Sequence, residues 1–179
     1  MALVKPVTMP DATSLGLLPP RSAWRWHSIA LAVLALDLLS KALVSQWLTY
    51  GQPLTLLPVF DLILLHNPGA AFSFLADAGG WQRYFFVLIS VIASVVIYVW
   101  INRLPHRDWI TALGLALILG GALGNLHDRV VHGYVVDFLA FHWNHRYFPA
   151  FNIADAGISV GAALILWVAV FGQQDTKSP

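Results

Sequence analysis

The sequence predicts a mainly α-helical membrane protein: four transmembrane helices with small β elements resting on one membrane surface. Three observations predict it. Of 179 residues, 58% are hydrophobic and only 11% charged, against about 25% charged in an average soluble chain. Four apolar stretches of about 20 residues, the length that crosses a bilayer, follow one another along the chain. Proline, glycine and apolar runs of strand length gather between the first and second stretches and between the third and fourth. Residues 1–179 therefore read as a single membrane-embedded domain. The net charge of +1 carries no electrostatic footprint for nucleic acid. The absence of cysteine excludes disulfides, thiolate nucleophiles and cysteine-ligated metals.

Residues 1–23 contain Pro6, Pro10, Pro19 and Pro20 and no apolar run of signal-peptide length, so a flexible tail is expected rather than a cleaved targeting segment. The first span is expected at about 24–50. Its apolar run is interrupted by Asp37 and Lys41, which are four apart, share a helix face and can pair. Trp24 and Trp26 at one end, and Trp47 and Tyr50 at the other, fit aromatic belts at the two membrane interfaces.

Residues 51–80 differ in kind. Gly51, Pro53 and Pro58 break helix, Leu54–Leu57 and Val59–Leu65 are strand-length apolar runs, and His66-Asn67-Pro68-Gly69 is a turn signal. A small surface β element is expected there, followed by a short interfacial segment at Ala70–Leu75. The second span, at about 84–101, is eighteen residues without a charge. A basic loop, 102–108, leads to a third uncharged span at about 109–126. Gly120 and Gly124 form a small-xxx-small pattern in it, which either packs another helix or leaves room for a bound backbone. Residues 127–151 form a second non-spanning region with a strand-like Tyr134–Leu139, and the fourth span covers about 152–171. Arg21, Arg25, Arg103, Arg107 and Lys177 would lie on one side and Arg83, Arg129 and Arg146 on the other; this bias predicts cytoplasmic termini and an outer position for the β elements.

The chemistry is concentrated in residues 120–155, where three aspartates, two asparagines and an arginine lie between apolar runs. Ionisable groups at membrane depth are functional-site candidates by default. Asp128 precedes Arg129, and a structural ion pair between the two is the simplest reading. Asp137 sits among Val135, Val136, Phe138 and Leu139, too apolar a setting for a routine solvated carboxylate; desolvation would favour its protonated form. Asp155 falls three residues after Asn152, which fits a helix cap, where the helix dipole favours negative charge. Asp137 and Asp155 thus come from different elements with contrasting environments, the condition under which one carboxyl serves as acid and the other as base. Such a pair activates water with no metal and no covalent intermediate. A purely structural role for both is the alternative. His142 and His145 lie three apart, but there is no His-Glu-x-x-His and no cysteine to complete a zinc site, so no metal is expected. Lys41 and Ser45, four apart, offer a serine–lysine route, with Asp37 competing for the same lysine.

Five motifs follow in order: Asp37-Leu-Leu-Ser-Lys41, Asn67-Pro-Gly69-Ala-Ala-Phe72, Gly120-Gly-Ala-Leu-Gly-Asn125-Leu-His-Asp128-Arg129, Val135-Val-Asp137-Phe, and Phe151-Asn152-Ile-Ala154-Asp155. Through them the chain resembles the lipoprotein signal peptidases, or signal peptidase II, over about residues 33–170. The resemblance implies an intramembrane aspartyl endopeptidase of the bacterial inner membrane, without a cofactor. It would cleave diacylglyceryl-modified prolipoproteins on the amino side of the lipidated cysteine. Asp137 and Asp155 match the family's catalytic pair. Asn67, Gly69, Asn125, Arg129, Asn152 and Ala154 match positions that contact substrate or inhibitor or support the site, and Asp37, Lys41 and Asp128 match supporting positions. A periplasmic β-cradle and lid would occupy 51–80. Membrane lipids and cyclic-peptide inhibitors such as globomycin are implied as further partners, and a monomer as the working form. The tail before residue 24 is longer than the family leads one to expect, Pro68 and His127 depart from its commoner residues, and neither aspartate is affected. A non-enzymatic four-span transporter or proton-conducting subunit is the alternative function.

Overall fold

A computed structural model describes residues 23–69, 79–144 and 146–172 of the chain. The expected N-terminal tail (apart from residue 23), the interfacial segment at 70–75 and His145 lie outside the described residues. In chain order the elements are α1 (Trp24–Trp47), β1 (Leu54–Leu57), β2 (Phe60–Asn67), α2 (Trp81–Arg103), α3 (Trp109–Val131), β3 (Val135–Trp143), β4 (Arg146–Tyr147) and α4 (Ile153–Phe171). All four helices are long and apolar enough to cross a membrane, and the expected fold class holds.

The helices form because apolar runs without proline leave intrahelical hydrogen bonding as the way to satisfy the backbone in lipid. α3 is the central member and packs against α1, α2 and α4. The other three expose Leu31, Leu36, Leu88, Val96, Leu166 and Trp167, the residue types a helix presents to acyl chains. Close approach to α3 depends on its missing side chains. A Cβ at Gly120 would strike the Ala30 carbonyl and Val33 of α1, one at Gly121 the Ala154 carbonyl of α4, and one at Gly124 the Asp37 carboxylate. These glycines are therefore filled by neighbouring helices. They leave no room for a bound backbone, and of the two readings of the small-residue pattern, helix packing is the one realised.

α3 runs five residues beyond the expected Leu126. Asp128 and Arg129 stay helical because both are buried and find partners on other elements. The helix stops where Gly133 takes a φ of 86° and donates to the Asp128 carbonyl, a left-handed glycine end. α4 starts with a capping box: Asn152 Oδ1 accepts from the Asp155 amide at 2.9 Å, and the Asp155 carboxylate accepts from the Asn152 amide at 3.3 Å.

The four strands form one antiparallel sheet in the order β1-β2-β3-β4. Since β1 follows α1, and β3 lies between the end of α3 and the start of α4, the sheet sits at one end of the helix bundle. β2 continues through Asn67, which pairs with Val135, so the turn begins at Pro68 rather than at His66. Beside β3, Phe151 exchanges backbone hydrogen bonds with Leu139 at 2.9 and 3.0 Å. That pairing brings the first residues of α4 against the middle of β3.

Candidate active site

The pairing of Phe151 with β3 places Asn152 next to Asp137. Asn152 is fully buried, and its Nδ2 donates to Asp137 Oδ1 at 2.7 Å. Asn67 at the end of β2 donates to Asp137 Oδ2 at 3.0 Å. On the other carboxylate, Asn125 of α3 donates to Asp155 Oδ1 at 2.7 Å, and Oδ2 takes the Asn152 backbone amide of the capping box. The two acidic side chains are thus held by three asparagines from three different elements. Amide donors orient a carboxylate without supplying a compensating charge.

Asp137 is 3% exposed. Burial foremost, and then the negative charge of Asp155, push its pKa up to about 7, opposed by the hydrogen bonds from Asn67 and Asn152. The expectation of a desolvated Asp137 is met by its burial, and the direction of its pKa shift agrees with it. Both carboxylates face an open cleft of about 1230 Å³ that is walled mostly by apolar side chains from β2, the Tyr147–Phe151 segment and the first turns of α4.

One layer behind lies a charged cluster. The Lys41 ammonium is 2.7 Å from Asp37 and 2.9 Å from Asp128, with both carboxylates almost fully buried. It also donates to Asn125 Oδ1 at 3.1 Å. Asp37 in turn accepts the Ala154 amide at 2.9 Å, and Asp128 accepts the Val136 amide at 3.0 Å. The expected Asp37–Lys41 pair is present. The simplest reading of Asp128 is corrected: its cation is Lys41 of α1, not Arg129. Successive residues on a helix project about 100° apart, so Asp128 and Arg129 point to different neighbours. Arg129 donates instead to the Gly69 carbonyl at 2.9 Å and lies over the Phe86 ring at 4.9 Å. Gly69 donates its own amide to Asn67 Oδ1 at 3.0 Å.

All eleven sequence-derived site residues therefore meet in one network. The serine–lysine route does not survive, since Lys41 is engaged by two carboxylates and an amide while Ser45 is exposed. His142, offered as half of a zinc pair, faces Asp61 at 3.3 Å and stacks on Tyr147. The reading of the residues missed one contributor to the network and passed over one buried aspartate outside it. Val136 joins the network through its backbone alone, donating to Asp128 and accepting from Asn152, and no side-chain pattern announces that. Asp61 is buried in the apolar run of β2. It breaks that run as Asp137 breaks the run in β3, a signal that was available.

A four-helix transmembrane bundle with a carboxylate pair set in an apolar cleft at one end has the architecture of a membrane-embedded enzyme. The comparisons with known proteins carry this further. A family model described as signal peptidase (SPase) II matches residues 29–171, and the chain belongs to that family; its class of chemistry is peptide-bond cleavage. The chain is 48% identical over 156 residues to the lipoprotein signal peptidase of Teredinibacter turnerae, covering 87% of this chain and 93% of that protein. It is 48% identical over 159 residues to the lipoprotein signal peptidase of Pseudomonas aeruginosa (strain UCBPP-PA14), covering 88% and 90%. Two solved bacterial membrane enzyme structures share the fold. One has a TM-score of 0.78 at 26% identity over 87% of this chain and 93% of that one; the other has 0.72 at 28% over 86% and 95%.

Proposed function

We propose that the protein removes the signal peptide from lipid-modified bacterial prolipoproteins as an aspartyl endopeptidase, with Asp137 and Asp155 as its catalytic pair. The observation that carries this is the pair itself: two carboxylates from different elements, held by neutral amides, facing an apolar cleft. Between them they hold one proton, and the raised pKa of Asp137 makes it the holder. Asp155 takes a proton from a water molecule as the water oxygen adds to the scissile carbonyl. Asp137 gives its proton to the carbonyl oxygen. Collapse of the tetrahedral adduct returns that proton to Asp137, and Asp155 delivers its own to the departing amine, restoring the starting state.

The apolar cleft suits a substrate anchored by acyl chains and an apolar signal segment, with the bond to be cut on the amino side of a diacylglyceryl-modified cysteine. Asn67, Gly69, Asn125, Arg129, Asn152 and Ala154 orient the pair and the substrate, and Asp37, Lys41 and Asp128 brace them. A cyclic-peptide inhibitor such as globomycin would occupy the same cleft. The enzyme sits in the inner membrane with cytoplasmic termini and its site near the periplasmic face, and it works as a monomer. The charge distribution supports that orientation: Arg129 is committed inside the bundle, which leaves Arg83 and Arg146 as the arginines of the strand end. Nothing favours the transport reading, for α2 carries no charge between Arg83 and Arg103 and α3 none between Asp108 and Asp128.

The test is processing of a prolipoprotein in a reconstituted system, with and without its diacylglyceryl group. Wild type is expected to cut only the lipidated form. Asp137→Asn and Asp155→Asn are each expected to lower the rate by about a thousand-fold or more while the protein still inserts and folds. Substantial cleavage by either variant would refute the pair, and cleavage regardless of lipid would refute the substrate class.

A further inference from the structure

Asp61 lies outside the proposed catalytic network. It is 1% exposed on β2, yet groups from three other strands converge on its carboxylate. The Thr55 side chain of β1 hydrogen-bonds to it. The Tyr147 hydroxyl of β4 donates to Oδ2 at 3.1 Å. His142 Nε2 of β3 stands 3.3 Å from Oδ1, and its ring stacks on Tyr147 with centroids 5.0 Å apart. The first of these contacts, more than the others, holds the Asp61 carboxyl below the usual aspartate range.

Tyr147 is an unusual partner, since its hydroxyl is tied to a buried carboxylate while the residue as a whole is 57% exposed. That ring lines the cleft faced by Asp137 and Asp155, and so do Phe148, Pro149, Ala150 and Phe151. The segment is tied to β3 at both ends: Phe151 exchanges backbone hydrogen bonds with Leu139, and at the near end the two-residue β4 pairs with His142 and Trp143 while the Phe148 amide donates to the Phe141 carbonyl. A two-residue edge strand is the weaker anchor, so a buried acceptor gripping Tyr147 has leverage on that end of the wall.

We propose that Asp61 is a positioning residue for substrate binding: by holding the Tyr147 hydroxyl it sets the 147–151 segment as the apolar wall against which the precursor docks. Asp61 itself touches no reacting atom. The inference rests on the prolipoprotein reading above.

The experiment is steady-state cleavage of a lipidated precursor by the full chain in proteoliposomes, comparing wild type with Asp61→Ala, Asp61→Asn, Tyr147→Phe and the double variant Asp61→Ala/Tyr147→Phe. Asp61→Ala is expected to raise KM about ten-fold with kcat within about two-fold of wild type. Tyr147→Phe raises KM in the same direction. Asp61→Asn, which still offers an acceptor oxygen, stays near wild type, and the double variant is no worse than Asp61→Ala alone because both changes remove one contact. An unchanged KM in Asp61→Ala, a fall in kcat and Tm with KM unaltered, or additive losses in the double variant would each overturn the proposal. Tyr147→Phe keeps the buried carboxylate and the ring, so it tests the contact even if Asp61→Ala fails to fold. Failure of wild type to cut the lipidated precursor would instead remove the functional reading and this inference with it.

Discussion

Two groups of acidic side chains lie one layer apart, and they are held in opposite ways. Asp37 and Asp128 share the Lys41 ammonium at 2.7 and 2.9 Å, deep between α1 and α3. Asp137 and Asp155 receive amide N–H groups from Asn67, Asn125 and Asn152 and open onto the cleft. Two buried carboxylates bridged by one ammonium brace the helices around them. A carboxylate held by amides is oriented without a direct ion pair, and at Asp137 burial, working against those hydrogen bonds, then raises the pKa to about 7. Asn125 stands between the two groups. Its Oδ1 faces Lys41 and its Nδ2 faces Asp155, so it passes orientation from one group to the other.

Lys41→Met is the harshest way to break this contrast. It leaves two buried carboxylates facing each other without a cation, and an unfolding free energy lower by about 3–5 kcal/mol is expected. The loss should be plain in thermal or denaturant melts in detergent. Asp155→Asn, by comparison, should melt near wild type, because Asp155 is held by the Asn125 side chain and the Asn152 amide, and only the more distant charge of Arg129 acts on it.

Asn125→Ala sharpens the comparison from the other side. It removes the donor to Asp155 and the acceptor for Lys41 together. A fall in kcat of about ten- to a hundred-fold is expected, with a modest drop in stability. An equal fall in kcat from Asn125→Asp would show that the neutrality of the amide matters as well as its reach.

The smallest effect is a pH dependence. Asp137 has a reference pKa of 3.8, raised to about 7 in the folded protein. Below the reference value both states hold the proton. Between there and about 7 only the folded state does, so the contribution of this group to stability falls as pH rises through that window and is level above it. Wild type should therefore lose melting temperature between about pH 6 and pH 7, and Asp137→Asn should lose less over the same interval. Parallel slopes in the two proteins would show that Asp137 does not carry the proton.

By itself the sequence determined the four spans, the two intervening β regions, the capped start of α4 and the identity of the two facing aspartates. Those features are local or compositional: apolar run length, glycine and proline placement, the Asn152–Asp155 spacing, and a carboxylate set in an apolar strand. The motif resemblance added the rest of the site residues. Only the tertiary structure decided who meets whom. Asp128 pairs with Lys41, eighty-seven positions away, rather than with the adjacent Arg129. The glycines of α3 are filled by α1 and α4, and Asn67 reaches Asp137 because β2 and β3 run side by side. Asp61 acquires its meaning from three strands closing around it. The physical reason is common to all four. Hydrophobic periodicity and capping act over a few residues, whereas the partner of a buried polar group is set by which elements pack together, and that choice is made by the whole chain at once.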